Sequence, residues 1–408
     1  MKNESLSEHD TFMRRILFIT PKLYGGGAEK VTAMLASAMA EENKVWLLNL
    51  REETDEDYPV SPKVKMLFMP PITVPSQGNM SEMELKAEYI RNLKKKLRIT
   101  ASVSFLEEAN FYNVRSKRDD SVIVSVRNSY REKYGWPIRD VMEAWRLTEY
   151  IGLSNKIVAI SQGIADEIDS MWPGHEGKIS VIYNPVDVKE LERLAGEPLN
   201  EELTAFMKGS RVITNFGRLV EQKGQLHLIR AFSKVASRIP DTKLVIAGKG
   251  PLEDTLREEI ASLSLQTKVL LAGRLDNPYP LLKASYAFVL SSIYEGLSNS
   301  LIESGALGVP MISSDCPYGP REIIAGNSDY TKEVKGFSHE KYGLLTQRLT
   351  GDSLRGEDAL REAMIYMLSD EGAREQYALL SKERGNDYDA AKILKKWYPL
   401  LPNGRRFG

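Results

Sequence analysis

The chain has 408 residues, enough for two domains that bury their own cores without staples. Its 55 basic and 56 acidic side chains leave a net charge of −1, which argues against nucleic acid as a partner. The single cysteine, Cys316, excludes a disulfide framework and a cysteine-based zinc site, and the four histidines are scattered without metal-ligand spacing.

Residues 1–13 are polar, lack the apolar core of a secretory signal and read as a flexible tail. No apolar run approaches the roughly 20 residues of a membrane span, so the expected location is cytoplasmic. A short apolar strand at 16–20 leads to a loop ending in Gly25, Gly26 and Gly27. A helix follows at 28–41, with Val31, Met34, Leu35, Ala38 and Met39 on one face, then a strand at 45–50. Strand, glycine-rich loop, helix and strand open a doubly wound α/β domain. A strand at 64–69, a Pro/Gly/Ser loop at 70–81 and a helix at 84–98 come next. Strands at 102–106, 122–126, 156–160 and 180–183, with a helix at 139–151 and another from 161, complete the first domain. Residues 186–210 change register and read as the connection between domains at 14–200 and 201–385. The second domain repeats the βα pattern, with strands at 211–216, 243–247, 269–272, 287–292, 311–313 and 342–345. Helices are predicted at 225–238, 252–262 and within 356–384, and residues 386–408 form a final segment with an amphipathic helix at 390–398.

Ligands of open α/β sheets bind outside the carboxyl ends of the strands, where helix N-termini point. Gly25, Gly26 and Gly27 lie at such an end. They lack the G-x-G-x-x-G spacing, and no G-K-[ST] follows, so neither a dinucleotide fingerprint nor a P-loop is present. Their glycines either let the backbone approach a ligand or make a simple turn. Gly217-Arg218 and Lys223-Gly224 put a guanidinium fork and a compact ammonium in one strand-to-helix loop. Diphosphate oxygens suit that pair; solvated loop charge is the alternative. The stretch 287–314 reads as strand, turn, short helix and strand. Glu295 sits in its loop, Ser298, Asn299 and Ser300 are N-cap types, and Glu303 lies on the helix that Gly308 and Pro310 end. Two glutamates eight apart arise easily by chance, but the Gly-Leu-Ser-Asn-Ser between them narrows the pattern. The stretch reads as a grip on an activated sugar, with helix N–H groups for phosphate and carboxylates for hydroxyls.

The Glu295 to Glu303 stretch resembles the E-x7-E motif of retaining glycosyltransferase family 4. Several further blocks are similar to that family's, in the usual order: G-G-G-A-E (25–29), I-Y-N-P-V-D (182–187), G-R-L-V-E-Q-K-G (217–224), I-A-G-K-G (246–250) and G-R-L-D-N (273–277). S-D-C-P-Y-G-P-R-E-I (314–323) resembles the branch that builds capsule, exopolysaccharide or lipopolysaccharide. The resemblance spans roughly residues 14–385 and implies the GT-B fold, two Rossmann-like parallel-sheet domains facing a cleft, with the last helix crossing back to the first domain.

It also implies roles. Arg218 and Lys223 would hold the donor diphosphate, Glu295 the sugar hydroxyls and Glu303 the ribose. Gly296, Leu297, Ser298 and Asn299 would offer backbone N–H groups, Gly217 and Gly248 would line the donor pocket, and Arg274 and Leu275 would lie near the base. Gly25, Gly26 and Gly27 would sit close to the diphosphate and acceptor. Neither a cofactor nor a metal is expected. Many members carry a histidine in the first domain; here no histidine lies between His9 and His175. Ser104–Asn110 or Arg127 and Asn128 would stand in its place, the latter pair also reading as a helix cap. The implied activity is transfer of a hexose or N-acetylhexosamine from a nucleotide sugar to a lipid-linked or polysaccharide acceptor. A nucleotide-sugar 2-epimerase and a non-catalytic binding protein are the alternatives. The face carrying Lys86, Arg91, Lys94, Lys95 and Arg98 is either solvated or a contact for an anionic membrane on the inner side of the plasma membrane.

Overall fold

The computed structural model describes residues 13–74, 80–330, 332–350 and 354–403. The tail reading for 1–13 therefore lies outside the described residues except at Met13. The chain forms two compact units, the first from residues up to Ile160, Ile164–Tyr183 and the segment from Ile393, the second from Ser161–Gly163 and Asn184–Lys392.

In the first unit the elements follow as β1 (Arg15–Thr20), α1 (Gly27–Met39), β2 (Lys44–Asn49), β3 (Lys65–Phe68), α2 (Glu82–Lys96), β4 (Ala101–Phe105), α3 (Glu107–Arg115), β5 (Ser121–Val126), α4 (Tyr130–Tyr134), α5 (Val141–Leu153), β6 (Lys156–Ala159), α6 (Gln162–Met171) and β7 (Ile179–Val181). The seven strands lie in the order β3-β2-β1-β4-β5-β6-β7, and every pairing is parallel. Parallel strands covered on both faces read as continuous apolar runs, which is why RILFIT and SVIVSV, β1 and β5, are buried nearly end to end.

Helix α3 is an addition to the sequence reading. It has little amphipathic signal because Asn110 and Asn113 are wholly buried. Asn110 Oδ1 accepts from Ser104 Oγ at 2.8 Å, and its Nδ2 donates to the Ser125 carbonyl at 3.0 Å. The Ser104–Asn110 segment is thus committed to holding β4, α3 and β5 together.

Helix α2 starts two residues earlier than predicted because Ser81 and Glu84 form a capping box. Its basic face also needs correction. Lys94 is 2% exposed, with its ammonium 3.0 Å from Asp120 and 2.8 Å from Asn113 Oδ1. Burial lowers its pKa to about 8 against the pull of Asp120. Lys94 is an internal strut, not part of a solvated face.

In the second unit α7 (Val188–Leu194) and α8 (Glu201–Met207) precede β8 (Arg211–Phe216), α9 (Gln225–Arg238), β9 (Thr242–Ala247), α10 (Glu253–Ser262), β10 (Val269–Gly273), α11 (Tyr279–Lys283), β11 (Ala287–Leu290), α12 (Asn299–Ala306), β12 (Met311–Ser314), α13 (Pro320–Ile324), β13 (Phe337–Glu340), β14 (Gly343–Thr346), α14 (Leu354–Ser369) and α15 (Glu371–Asn386); α16 (Ala390–Trp397) starts in this unit and ends in the first. The sheet order is β10-β9-β8-β11-β12-β14-β13, parallel except for the edge pair β13/β14. The unit begins at Asn184, earlier than the boundary at 200, because α7 packs on α11 and α12. Asn277 Nδ2 fastens it by donating to the Leu194 carbonyl at 2.9 Å and to Glu197 Oε2 at 2.8 Å.

From Ile393 onward the chain belongs to the first unit. Ile393 and Trp397, one turn apart on α16, are buried in that unit's core, and the Trp397 ring lies 6.1 Å from Phe105. Replacing a buried tryptophan by alanine removes its transfer energy and leaves a void. Trp397→Ala is expected to lower the unfolding free energy of the first unit by about 3–5 kcal/mol, measured by urea denaturation.

Candidate active site

The carboxyl edge of the second sheet gathers the loops that follow β8, β9, β11 and β12. After β8 the chain passes Gly217 and Arg218, makes a 3-10 turn at Glu221–Lys223 and enters α9 through Gly224. Gly224 has a φ of 60°, and a Cβ there would stand 2.0 Å from the Ser291 carbonyl oxygen. Only glycine permits this backbone-to-backbone approach. Gly248 does the same for the loop after β9, since a Cβ on it would lie 1.8 Å from the Gly217 oxygen. Hydrogen bonds complete the seam between the β8 and β11 loops. Ile293 N–H donates to Gln222 O at 2.8 Å, Gln222 Nε2 to Tyr294 O at 3.0 Å, and Ser291 Oγ to Lys223 O at 2.9 Å.

The seam sets Lys223 against Glu295, with Nζ to Oε1 at 2.5 Å. Ser292 Oγ donates to the same oxygen at 2.7 Å. A buried carboxylate is tolerated only when paired and hydrogen-bonded, and Glu295 is buried. Its backbone is tied onward to the loop after β12, where Glu295 N–H donates to Pro317 O at 2.6 Å and Tyr318 N–H to Glu295 O at 3.0 Å. Arg218 is exposed, and its guanidinium has no hydrogen-bond or ion-pair partner among the described residues.

Gly296 and Leu297 lead from Glu295 to Ser298, the N-cap of α12, whose Oγ accepts the Leu301 N–H at 3.4 Å. The Ile302 N–H donates to the Ser298 carbonyl at 3.2 Å, which closes the first turn of α12 in the loop that follows β11. Asn299 Oδ1 accepts from Asn184 Nδ2 at 2.6 Å. Glu303, a turn further on, accepts from Tyr279 Oη at 3.1 Å. The two glutamates therefore have separate supports and do not touch as an acid pair. Arg274, exposed, and Leu275 follow β10, three strand positions from β11. At about 4.8 Å per strand they lie about 14 Å along the edge.

The loop after β12 has its own frame. Buried Arg321 grips buried Asp315, with Nε to Oδ1 at 3.0 Å, and Arg348 Nε donates to Asp315 O at 3.0 Å. Burial raises the Asp315 carboxyl's pKa, while Arg321 opposes it. Tyr330 Oη donates to Glu322 at 2.5 Å and accepts the Gly319 N–H at 3.0 Å. Sequence reasoning missed Ser292, Tyr279, Asp315, Arg321 and Tyr330 as supports. Only their place inside the quoted blocks, or next to them, could have drawn attention to them.

The remaining candidates belong to the first unit. Gly26 caps α1 and Gly27 is its first residue. The buried Glu29 carboxylate fills the space that a side chain on Gly26 would need. Arg127 follows β5, buried, with its guanidinium 5.3 Å from the Phe105 ring centre. Burial lowers its pKa, and the Glu29 charge opposes that shift. Asn128 is half-buried beside it. The turn is held from behind by Glu167, whose carboxylate accepts from Ser129 Oγ at 2.6 Å, Tyr130 N at 2.7 Å and Arg131 N at 3.3 Å. Burial raises the Glu167 pKa against these bonds. Among the described residues no group of three or more His, Cys, Asp or Glu could hold a metal ion.

Two family models match the chain: "Glycosyltransferase Family 4" over residues 25–190 and "Glycosyl transferases group 1" over 199–342. The chain is similar to an uncharacterised glycosyltransferase of Methanocaldococcus jannaschii, 34% identical over 289 residues, 68% of this chain and 71% of that protein. It is also similar to the N-acetylgalactosamine-N,N'-diacetylbacillosaminyl-diphospho-undecaprenol 4-alpha-N-acetylgalactosaminyltransferase of Campylobacter jejuni, 24% identical over 94% of this chain and 98% of that one. Among solved structures, Anabaena Alr3699/HepE in complex with UDP superposes with a TM-score of 0.71 at 15% identity, covering 94% of this chain and 98% of the other.

Two measurements test the geometry. Gly224→Ala strains the left-handed turn and forces the β8 and β11 loops apart, so it is expected to destabilise the second unit by about 1–3 kcal/mol, read as a lower unfolding midpoint. Glu167→Ala leaves three donors at the β5–α4 turn without their acceptor and is expected to cost the first unit about 1–3 kcal/mol, with Glu167→Gln recovering part of it, in urea titrations.

Proposed function

This chain belongs to the glycosyltransferases, with the GT-B fold, and from that premise we propose that it is a retaining enzyme acting on a lipid-linked or surface-polysaccharide acceptor. It moves a hexose or N-acetylhexosamine from a UDP- or GDP-sugar to a sugar hydroxyl. The Campylobacter relative's name supports the acceptor class, since that enzyme acts on a diphospho-undecaprenol-linked saccharide. The Anabaena structure with UDP supports a nucleotide donor.

The observation that carries the proposal is the Lys223–Glu295–Ser292 cluster beside the N-terminus of α12. A nucleotide sugar has a diphosphate flanked by two polyols, and this edge offers matching chemistry in matching order. Arg218 and Lys223 take the diphosphate with the N–H groups from Gly296 to Asn299. Glu295 accepts from the hydroxyls of the donor sugar, and Glu303 from the ribose. Arg274 and Leu275, about 14 Å along the edge, are within a nucleotide's reach and take the base. Gly217 and Gly248 allow the close backbone approach that lines the pocket. Gly25, Gly26 and Gly27, with Arg127 and Asn128, serve the acceptor side.

In the reaction the bond between the anomeric carbon and the phosphate oxygen breaks, and its electron pair leaves with the nucleoside diphosphate. The acceptor hydroxyl oxygen forms the new bond on the same face, and its proton passes to the departing phosphate oxygen. The charge on that oxygen is met by Arg218, Lys223 and the helix terminus, groups that stand in place before the charge develops. Because Lys223 also neutralises Glu295, its ammonium is aimed at the donor before binding.

Glu295→Ala removes the sugar contact and leaves Lys223 without its counter-charge. Transfer measured as nucleotide release in the presence of acceptor is expected to fall about 10²–10³-fold, and the unfolding midpoint is expected to fall too, because Lys223 is left without its partner. Undiminished transfer would remove Glu295 from the site. Incubation with donor alone should leave the sugar's configuration unchanged, whereas epimerised product would identify an epimerase instead.

A further inference from the structure

Helices α2, α3 and α5 frame a second feature of the first unit. Helix α3 packs against both α2 and α5. A groove of about 530 Å³ opens over it, with Phe111 and Trp145 among its lining residues and Met80, Met83, Ala87 and Met142 beside them. Around it lie large apolar side chains that a water-facing helix would not keep: Val141 at 78% exposure, Met142 at 52%, Met80 at 42% and Trp145 at 38%. Val141, Trp145 and the half-exposed Leu153 are spaced by four and eight, so they form one stripe along the roughly 20 Å of α5.

The charges beside this stripe divide into two sets. Near the groove they cancel: Lys86 pairs with Glu82 at 2.6 Å, Arg91 with Glu88, and Arg115 with Glu149 at 2.6 Å. At the far ends of α2 and α3 they do not. Lys95, Lys96, Arg98, Lys117 and Arg118 are exposed, and among the described residues none of the five is in an ion pair with a carboxylate. Lys117 Nζ donates to the Leu153 carbonyl at 3.0 Å, which joins this cationic end to the end of the apolar stripe. The cationic surface is therefore smaller than the α2 face read from the sequence, lacks Lys94, and continues into an apolar strip that the sequence did not show.

We propose that this strip is where the enzyme docks on an anionic phospholipid surface. Methionine, valine and tryptophan side chains enter the region between headgroups and acyl chains, where flexible apolar groups and an indole both fit. The five cations sit over the anionic headgroups at the other end of the strip. This deepens the function proposed above and rests on it in one respect: an acceptor carried on a lipid is met at the membrane.

The experiment is co-sedimentation of the full chain with vesicles of phosphatidylcholine, alone or mixed with phosphatidylglycerol. The protein is expected to bind the mixed vesicles, and salt is expected to weaken that binding. Val141→Glu with Met142→Glu, both at exposed positions, is expected to cut binding at least about tenfold. Lys95→Glu with Lys96→Glu should remove the preference for the anionic lipid and leave the weaker apolar binding. Absence of wild-type binding at low salt, or equal binding by the Val141/Met142 variant, would overturn the proposal. A concentration-dependent dimer that this variant abolishes would also overturn it, by assigning the strip to a second copy. Transfer to a short-chain, water-soluble acceptor should be unchanged in the variants. If vesicle binding fails while that transfer persists, the docking site falls and the glycosyltransferase function stands.

Discussion

Everything at the sheet edge of the second unit depends on two loops touching backbone to backbone. Gly224 lies so close to Ser291 that no side chain could come between them. That approach brings Lys223 within 2.5 Å of Glu295. The salt bridge is a consequence of packing, and its value is positional. A partly buried ammonium and a buried carboxylate would each be costly alone; together they form a neutral but polar wall. Such a wall has the chemistry to meet a charged, hydroxyl-rich ligand, as proposed above, without reorganising first.

The same economy appears in the neighbouring loops. Glu295 is held by its side chain to Lys223 and Ser292, and by its backbone to Pro317 and Tyr318. The loop after β12 is in turn fixed by the buried Asp315–Arg321 pair and by Tyr330. Glu303 has Tyr279, and Asn299 has Asn184. Glu295, Glu303 and Asn299 are thus each held by another side chain of the same unit. Arg218 differs in being exposed, with its guanidinium unheld among the described residues.

The first unit uses buried polarity differently. Lys94, Asp120, Asn110, Asn113 and Ser104 form an internal network that locks α2 and α3 onto the sheet. Glu167 does the same for the turn carrying Arg127 and Asn128. No histidine stands at that turn; a buried guanidinium over Phe105, near the Glu29 carboxylate, occupies it instead. This turn therefore differs from the histidine-bearing pattern of the resembled family, while the blocks of the second unit keep the family's order.

From the sequence alone came the βα alternation, both parallel sheets, most helices within two or three residues, the loops that carry Arg218, Lys223 and Glu295, and the helix that carries Glu303. These are legible because they rest on local rules: buried parallel strands are apolar throughout, glycines mark turns, and cap residues precede helices. Helix α3, the edge strand β13, the buried Lys94 and the supports Ser292, Tyr279 and Arg321 were not legible. Each is settled by a partner far along the chain, and a residue's type does not state its partner. A lysine reads as solvated until an aspartate 26 positions away takes it inside. Tertiary structure decided which polar groups face a ligand and which hold the frame, because that choice depends on distances that only the folded chain sets.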